Sequence, residues 1–164
     1  MTAHDNDDND GRHDFDYLHG RWRIRNRRLK ARLAGCTDWE EFDATQECHP
    51  VLGGIGNVDH FHSVFPDGTP VEGMTVRIFD PRARLWSISW ADNVACRLLP
   101  PVFGGFSDGR GVFHGEDVLD GKPIRVVFRW GGITADSAIW DQAFSADGGQ
   151  TWETNWRMFM TREG

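Results

Sequence analysis

Ala138–Met160, AIWDQAFSADGGQTWETNWRMFM, decides the fold. Ala138, Trp140, Gln142 and Phe144 alternate with Ile139, Asp141, Ala143 and Ser145. After Ser145-Ala146-Asp147-Gly148-Gly149 the alternation resumes, with Trp152, Thr154, Trp156, Met158 and Met160 set against Glu153, Asn155, Arg157 and Phe159. Two period-2 runs around a glycine turn predict an antiparallel hairpin with one buried face. Three tryptophans on that face predict the wall of a closed or nearly closed barrel.

The rest of the chain agrees with that hairpin. Its 164 residues suit one domain with a substantial core. Residues 1–13, MTAHDNDDNDGRH, are acidic and lack large apolar side chains, so a disordered tail is expected there and a single barrel domain over 14–164. Asn6-x-Asp8-x-Asp10-Gly11 opens like a calcium loop, but Asn stands first and Tyr17 occupies the place of the closing Glu. Arg21–Leu33 begins as a strand with Trp22, Ile24 and Asn26 on one face and Arg21, Arg23, Arg25 and Arg27 on the other. Trp39–Cys48 answers it with Phe42, Ala44 and Gln46 inward and Glu41, Asp43 and Glu47 outward. The arginine row therefore reads as an outer face paired with carboxylates rather than a nucleic-acid patch, which the net charge of −7 also disfavours.

Further strands are expected at Asn57–Phe65, with Val58, His60, His62 and Val64 sharing a face, and at Met74–Phe79, with Met74, Val76 and Ile78 in line. Leu85–Trp90 places Trp86, Ile88 and Trp90 together, and Ile124–Trp130 does the same for Ile124, Val126, Phe128 and Trp130. Pro100-Pro101 interrupts the stretch between them, where shorter strands are expected. No segment keeps a 3.6-residue apolar period. The chain reads as all-β: a single up-and-down antiparallel barrel of about ten strands with a short helical turn at Asp14–Gly20, the size that holds one small ligand. Three cysteines without C-x-x-C spacing, no signal-peptide core and no apolar run of membrane length lead us to expect a cytoplasmic protein that neither enters a membrane nor binds nucleic acid.

DFDYLHGRWRI at 14–24, Phe79-Asp80-Pro81 ahead of Leu85-Trp86-Ser87-Ile88, and Phe144-Ser145-x-Asp147-Gly148-Gly149-x-Thr151-Trp152-Glu153 resemble small bacterial calycin-like proteins of the DUF1579 type. The resemblance runs from Asp14 onward and implies a lipocalin-like barrel with a cavity for a small apolar ligand. A haem-binding branch of similar barrels carries G-x-W-x-G-x-G; here Gly20-Arg21-Trp22-Arg23 is followed by no glycine before Gly35. No cofactor is expected.

His60-x-His62 is the sharpest local signal for chemistry, because residues i and i+2 of a strand share a face. The pair could hold a metal with a third ligand such as Gln46, His49 or His114, serve a pocket as acid–base groups, or be ordinary histidines; no metal site is assigned. Trp22, Trp86, Trp90, Trp130, Trp140, Trp152 and Trp156 either pack the core or line a pocket. The leading reading is a binding module: Trp86, Trp90, Trp140 and Trp156 form the walls, His60, His62 and Gln142 fix the ligand's orientation, and Asn26 and Gln46 are further polar groups on those faces. The second is an isomerase or cyclase in which His60 or His62 moves a proton and Gln142 polarises a carbonyl. The third is a packed barrel that self-associates as a homodimer.

Overall fold

The computed structural model describes residues 10–164; residues 1–9, with most of the expected tail and the start of the calcium-like stretch, lie outside the described residues. In chain order the strands are β1 (Gly20–Leu29), β2 (Trp39–Val51), β3 (Gly56–Val64), β4 (Pro70–Asp80), β5 (Leu85–Asp92), β6 (Arg97–Leu98), β7 (Val102–Ser107), β8 (Arg110–Leu119), β9 (Lys122–Gly131), β10 (Ser137–Ser145) and β11 (Glu153–Arg162). All pairings are antiparallel, mostly between neighbours in sequence, and β1 pairs with β11. Pairing of β4 with β5 completes the circle, so ten strands form a closed barrel and β6 is a spur on the end of β5. Among the described residues, no helix is long and apolar enough to cross a membrane.

One end of the barrel is plugged. Residues Asp16–Leu18 make a single 3-10 turn that drives Phe15 and Leu18 into the interior, both at 0% exposure. Phe15 meets Trp86 edge-on at 5.0 Å and lies against Phe113 at 5.5 Å, contacts that fix an aromatic floor. Trp22 Nε1 donates to Leu18 O at 2.8 Å, and the Arg162 guanidinium lies 4.3 Å from the Trp22 ring while donating to His19 O and Tyr17 O. First and last strands thus hold the plug jointly. Asp10–His13, expected in the tail, belong to this end as well: Gly11 O accepts from Trp86 Nε1 at 2.9 Å.

The expected faces of β1, β2, β5 and β9 hold. Trp22, Ile24, Asn26, Phe42, Ala44 and Gln46 are buried, and the outward arginines pair across the β1–β2 ladder, as Arg25 does with Glu41 at 2.9 Å and Asp43 at 3.1 Å. β3 and β4 are the other way round. Asn57, Asp59 and Phe61 point inward, and so do Val71, Gly73, Thr75, Arg77 and Phe79. The expected inward orientation of His60 and His62 is therefore corrected: both are exposed on the outer wall, as are Met74 and Ile78. Trp152 is the other correction. The register of β10 with β11 slips between Gln142 and Ala143, so Asn155 becomes the extra, fully buried bulge residue. Trp156, Met158 and Met160 keep the inward side, while Trp152 precedes the strand and lies outside, 37% exposed and edge-on to the His114 ring at 6.2 Å.

The β10–β11 turn is built on Asp147. Its carboxylate accepts from Ser145 Oγ, the Thr151 hydroxyl and the backbone N–H groups of Gln150 and Thr151. Gly148 and Gly149 follow with φ of 74° and 91°, a conformation that side chains with a Cβ resist. The Thr151 hydroxyl, then the Thr151 N–H and the Ser145 hydroxyl, hold the Asp147 carboxyl at about 2, below its ordinary 3.8. A folded-state value below the unfolded one stabilises the fold above pH 4 and is lost as pH falls from 4 through 2. Asp147→Asn is expected to lower Tm at pH 7, with a gap from the unsubstituted protein that narrows as thermal unfolding is followed from pH 5 down to pH 2.5.

Candidate ligand-binding cavity

Above the plug the barrel encloses a cavity of about 90 Å³. Its walls are mainly apolar. Trp90 comes from β5, Phe128 and Trp130 from β9, Trp140 from β10, and Trp156 and Met158 from β11. A second chamber of about 60 Å³ shares Ile88, Trp90, Leu99, Phe128 and Gln142 with the first and continues to Pro100, Glu116 and Asp117. This extension has a local cause. β5 pairs with β7 through only three residues, Trp86, Ile88 and Ser87. Beyond them the chain turns into β6, and Pro100 and Pro101 have no N–H to continue the ladder. Leu99 N–H donates to Trp90 O at 2.7 Å, so the loop is held over the seam rather than zipped into it.

The tryptophans are positioned rather than loose. Trp90 Nε1 donates to Asp92 Oδ2 at 2.7 Å, and its indole lies over Gly73, where a Cβ would clash with the ring. Trp156 Nε1 donates to Asn26 Oδ1 at 3.0 Å, while Asn26 Nδ2 donates to Phe42 O at 3.2 Å. Trp140 stands edge-on to Phe128 at 5.1 Å and to Trp156 at 6.2 Å. Gln142 Nε2 is committed to Asn155 Oδ1 at 2.8 Å, which ties the bulge to the cavity wall.

On the β3–β4 side the wall is polar. Arg77 lines the cavity at 3% exposure beside Asp59 at 0%. Arg77 Nη1 lies 2.8 Å from Asp59 Oδ2, an ionic contact off hydrogen-bond geometry, and donates to Asn57 Oδ1 at 2.9 Å. Asp59 Oδ1 accepts the Thr75 backbone N–H at 3.1 Å. The guanidinium also faces the Phe15 ring at 5.3 Å, so the plug and the pair share a boundary. Burial pushes the Tyr17 phenol upward and the Cys48 thiol up to about 11, so both keep their protons at neutral pH and neither is poised as a nucleophile.

Of the residues expected at a site, Trp90, Trp140, Trp156, Gln142 and Gln46 meet at this cavity. Trp86 does not: it is packed between Phe15 and Phe79 at the plugged end. Asn26 lies behind the wall as the acceptor for Trp156. His60 and His62 are outside the barrel, His60 stacked on His49 at 5.7 Å and His62 Nε2 3.6 Å from Glu72. No group of three or more His, Cys, Asp or Glu side chains able to hold a metal occurs among the described residues. Arg77, Asp59 and Asn57 were not foreseen. Their signal in the sequence was the polar alternation Asn57-x-Asp59 and Thr75-x-Arg77, set against apolar residues that turn out to face solvent.

No family model matches the chain, and no curated protein matches it in sequence. Among solved structures the chain is similar to an S-type phycobiliprotein lyase, CPES, from Guillardia theta. The TM-score is 0.62 at 14% identity, covering 92% of this chain and 90% of that one. That likeness is one of fold.

A buried pair is costly to break from one side. Arg77→Met leaves Asp59 as an uncompensated buried carboxylate, for an expected loss of about 3–5 kcal/mol. Adding Asp59→Asn to the same chain is expected to restore most of it, measured by urea unfolding of the single and double variants.

Proposed function

We propose that the protein binds a small, largely apolar or aromatic molecule inside the barrel, admitted at the seam beside Leu99 and Pro100. The observation that carries this reading is the cavity itself, held open between Trp90, Trp140 and Trp156 by hydrogen bonds that fix two of the three rings. Aromatic walls with a few placed polar groups are the usual form of a small-molecule site. A barrel whose purpose was only to pack or to self-associate has no need of such a space. The exposed Met74 and Ile78 on the outer wall are the main support for a homodimer.

A lyase with the same fold keeps the enzyme reading in view. In this chain, however, the histidines that were to move a proton do not reach the cavity, and Gln142 is already bonded to Asn155. Binding without turnover therefore has the better support. Kinship with the DUF1579 type and a cytoplasmic setting belong to the same proposal; the unpaired Cys36, Cys48 and Cys96 suit a reducing compartment.

The test is an NMR titration with 2-methylnaphthalene, read at the indole N–H signals. Saturable shifts are expected for Trp130, Trp140 and Trp156, with Trp22 and Trp152 unmoved. His60→Ala is expected to leave the midpoint unchanged. Shifts confined to Trp152, or none that saturate, would count against a site inside the barrel.

A further inference from the structure

The unsatisfied polar atoms around the cavity are unequal in kind. Arg77 Nε, Trp130 Nε1 and Gln46 Nε2 are buried, sit on side chains that line the cavity, and have no hydrogen-bond partner among the described residues. Arginine and tryptophan can only donate, and Gln46 can turn either end of its amide toward a ligand. Two other indole N–H groups of the wall are committed, Trp90 Nε1 to Asp92 and Trp156 Nε1 to Asn26. Among the equally buried unpartnered atoms of the described residues at this wall, the one that can only accept is Asp59 Oδ2, and it already faces the Arg77 cation at 2.8 Å. Among these fully buried atoms donors outnumber acceptors.

Its charge is balanced. Among the described residues Arg77 is the one charged residue that lines the main cavity, and its ion-pair partner Asp59 carries the opposite charge. A ligand carboxylate would have to displace Asp59 from the guanidinium and leave one anion uncompensated, the arrangement that burial penalises most. Asp59 cannot turn away cheaply, since it is 0% exposed and holds the Thr75 N–H. An uncharged acceptor meets the donors without disturbing the pair.

Resting on the binding function proposed above, we propose that the ligand enters with an uncharged hydrogen-bond acceptor foremost, a carbonyl oxygen of the ketone, lactone or quinone class on an aromatic or apolar frame, received by N–H groups of Arg77, Trp130 and Gln46. This distinguishes the cavity from one built for a fatty-acid or other carboxylate head.

Three probes of one shape test it by calorimetry: 2-acetonaphthone, 2-isopropenylnaphthalene, in which a methylene replaces the carbonyl oxygen, and 2-naphthoate. The informative quantity is the ratio of ketone to hydrocarbon affinity, which cancels their common apolar burial. Trp130→Phe and Gln46→Met each delete one donor and leave the ion pair intact. At least one of them is expected to lower that ratio about fivefold, the scale of one lost hydrogen bond. In the unsubstituted protein the Trp130 indole N–H signal is expected to move downfield with the ketone and not with the hydrocarbon. Naphthoate is expected to bind weakest at pH 7. A ratio unchanged in both folded variants, or naphthoate binding tightest, would overturn the acceptor assignment while leaving the binding function standing. Failure of all three probes to bind would overturn both.

Discussion

The ion pair of Arg77 with Asp59 sets the terms for its side of the barrel. In a closed barrel every residue of a strand faces either the interior or the solvent, and a shift of one residue exchanges the two sets. With a buried carboxylate on β3 and a buried guanidinium on β4, the inward set of those strands is Asn57, Asp59 and Phe61 facing Thr75 and Arg77. The outward set is then His60, His62, Met74 and Ile78. Everything else at the site follows from that choice: a polar wall opposite an aromatic one, and histidines on the outside.

Much of the fold was legible because most strands carry a single message. On β1 and β2, Trp22, Ile24, Phe42 and Ala44 alternate with charges, and burial agrees with the pattern. Short turns between successive strands leave few topologies open, and β1 meets β11 to help close the barrel. β3 and β4 carried two messages. Valines, a methionine and an isoleucine marked one face and Asn, Asp, Thr and Arg the other, and hydrophobicity favoured the wrong one. Burial of a polar set has no signal of its own in a single strand; it takes the pairing of Asn57 with Arg77 and of Asp59 with Thr75 to make sense of it. Local rules tend to fail in this way where a protein places its chemistry. Trp152 was misplaced for a different reason. A bulge at Asn155 adds one residue to β11, and alternation counted through it assigns every residue on the far side to the wrong face.

Replacing a buried ion pair by apolar residues of similar volume is often neutral or stabilising. Here the pair has apolar neighbours beside its polar ones: Phe15 packs against the guanidinium and Phe61 follows Asp59 on the same face. The pair is better understood as orienting something than as holding the barrel together, since the plug, with Phe15, Leu18 and Trp22 under the Arg162 clamp, supplies the interlock between the chain's two ends. Division of labour along the barrel axis results, with stability concentrated at the closed end and polarity at the middle.

Access to that middle comes from the place where the ladder is weakest. A barrel has no free edges only if each strand is paired along its length. β5 is not: its first half pairs with β7, its end with the two-residue β6, and the prolines between them cannot donate. The gap is covered by Leu99 on one backbone hydrogen bond, a much lower barrier to local opening than any full ladder on the opposite side. Trp90 stands at this gap and also lines both chambers, and Gly73 alone gives its ring room to do so. A short pairing, two prolines and one glycine thus account together for a cavity that is both enclosed and reachable.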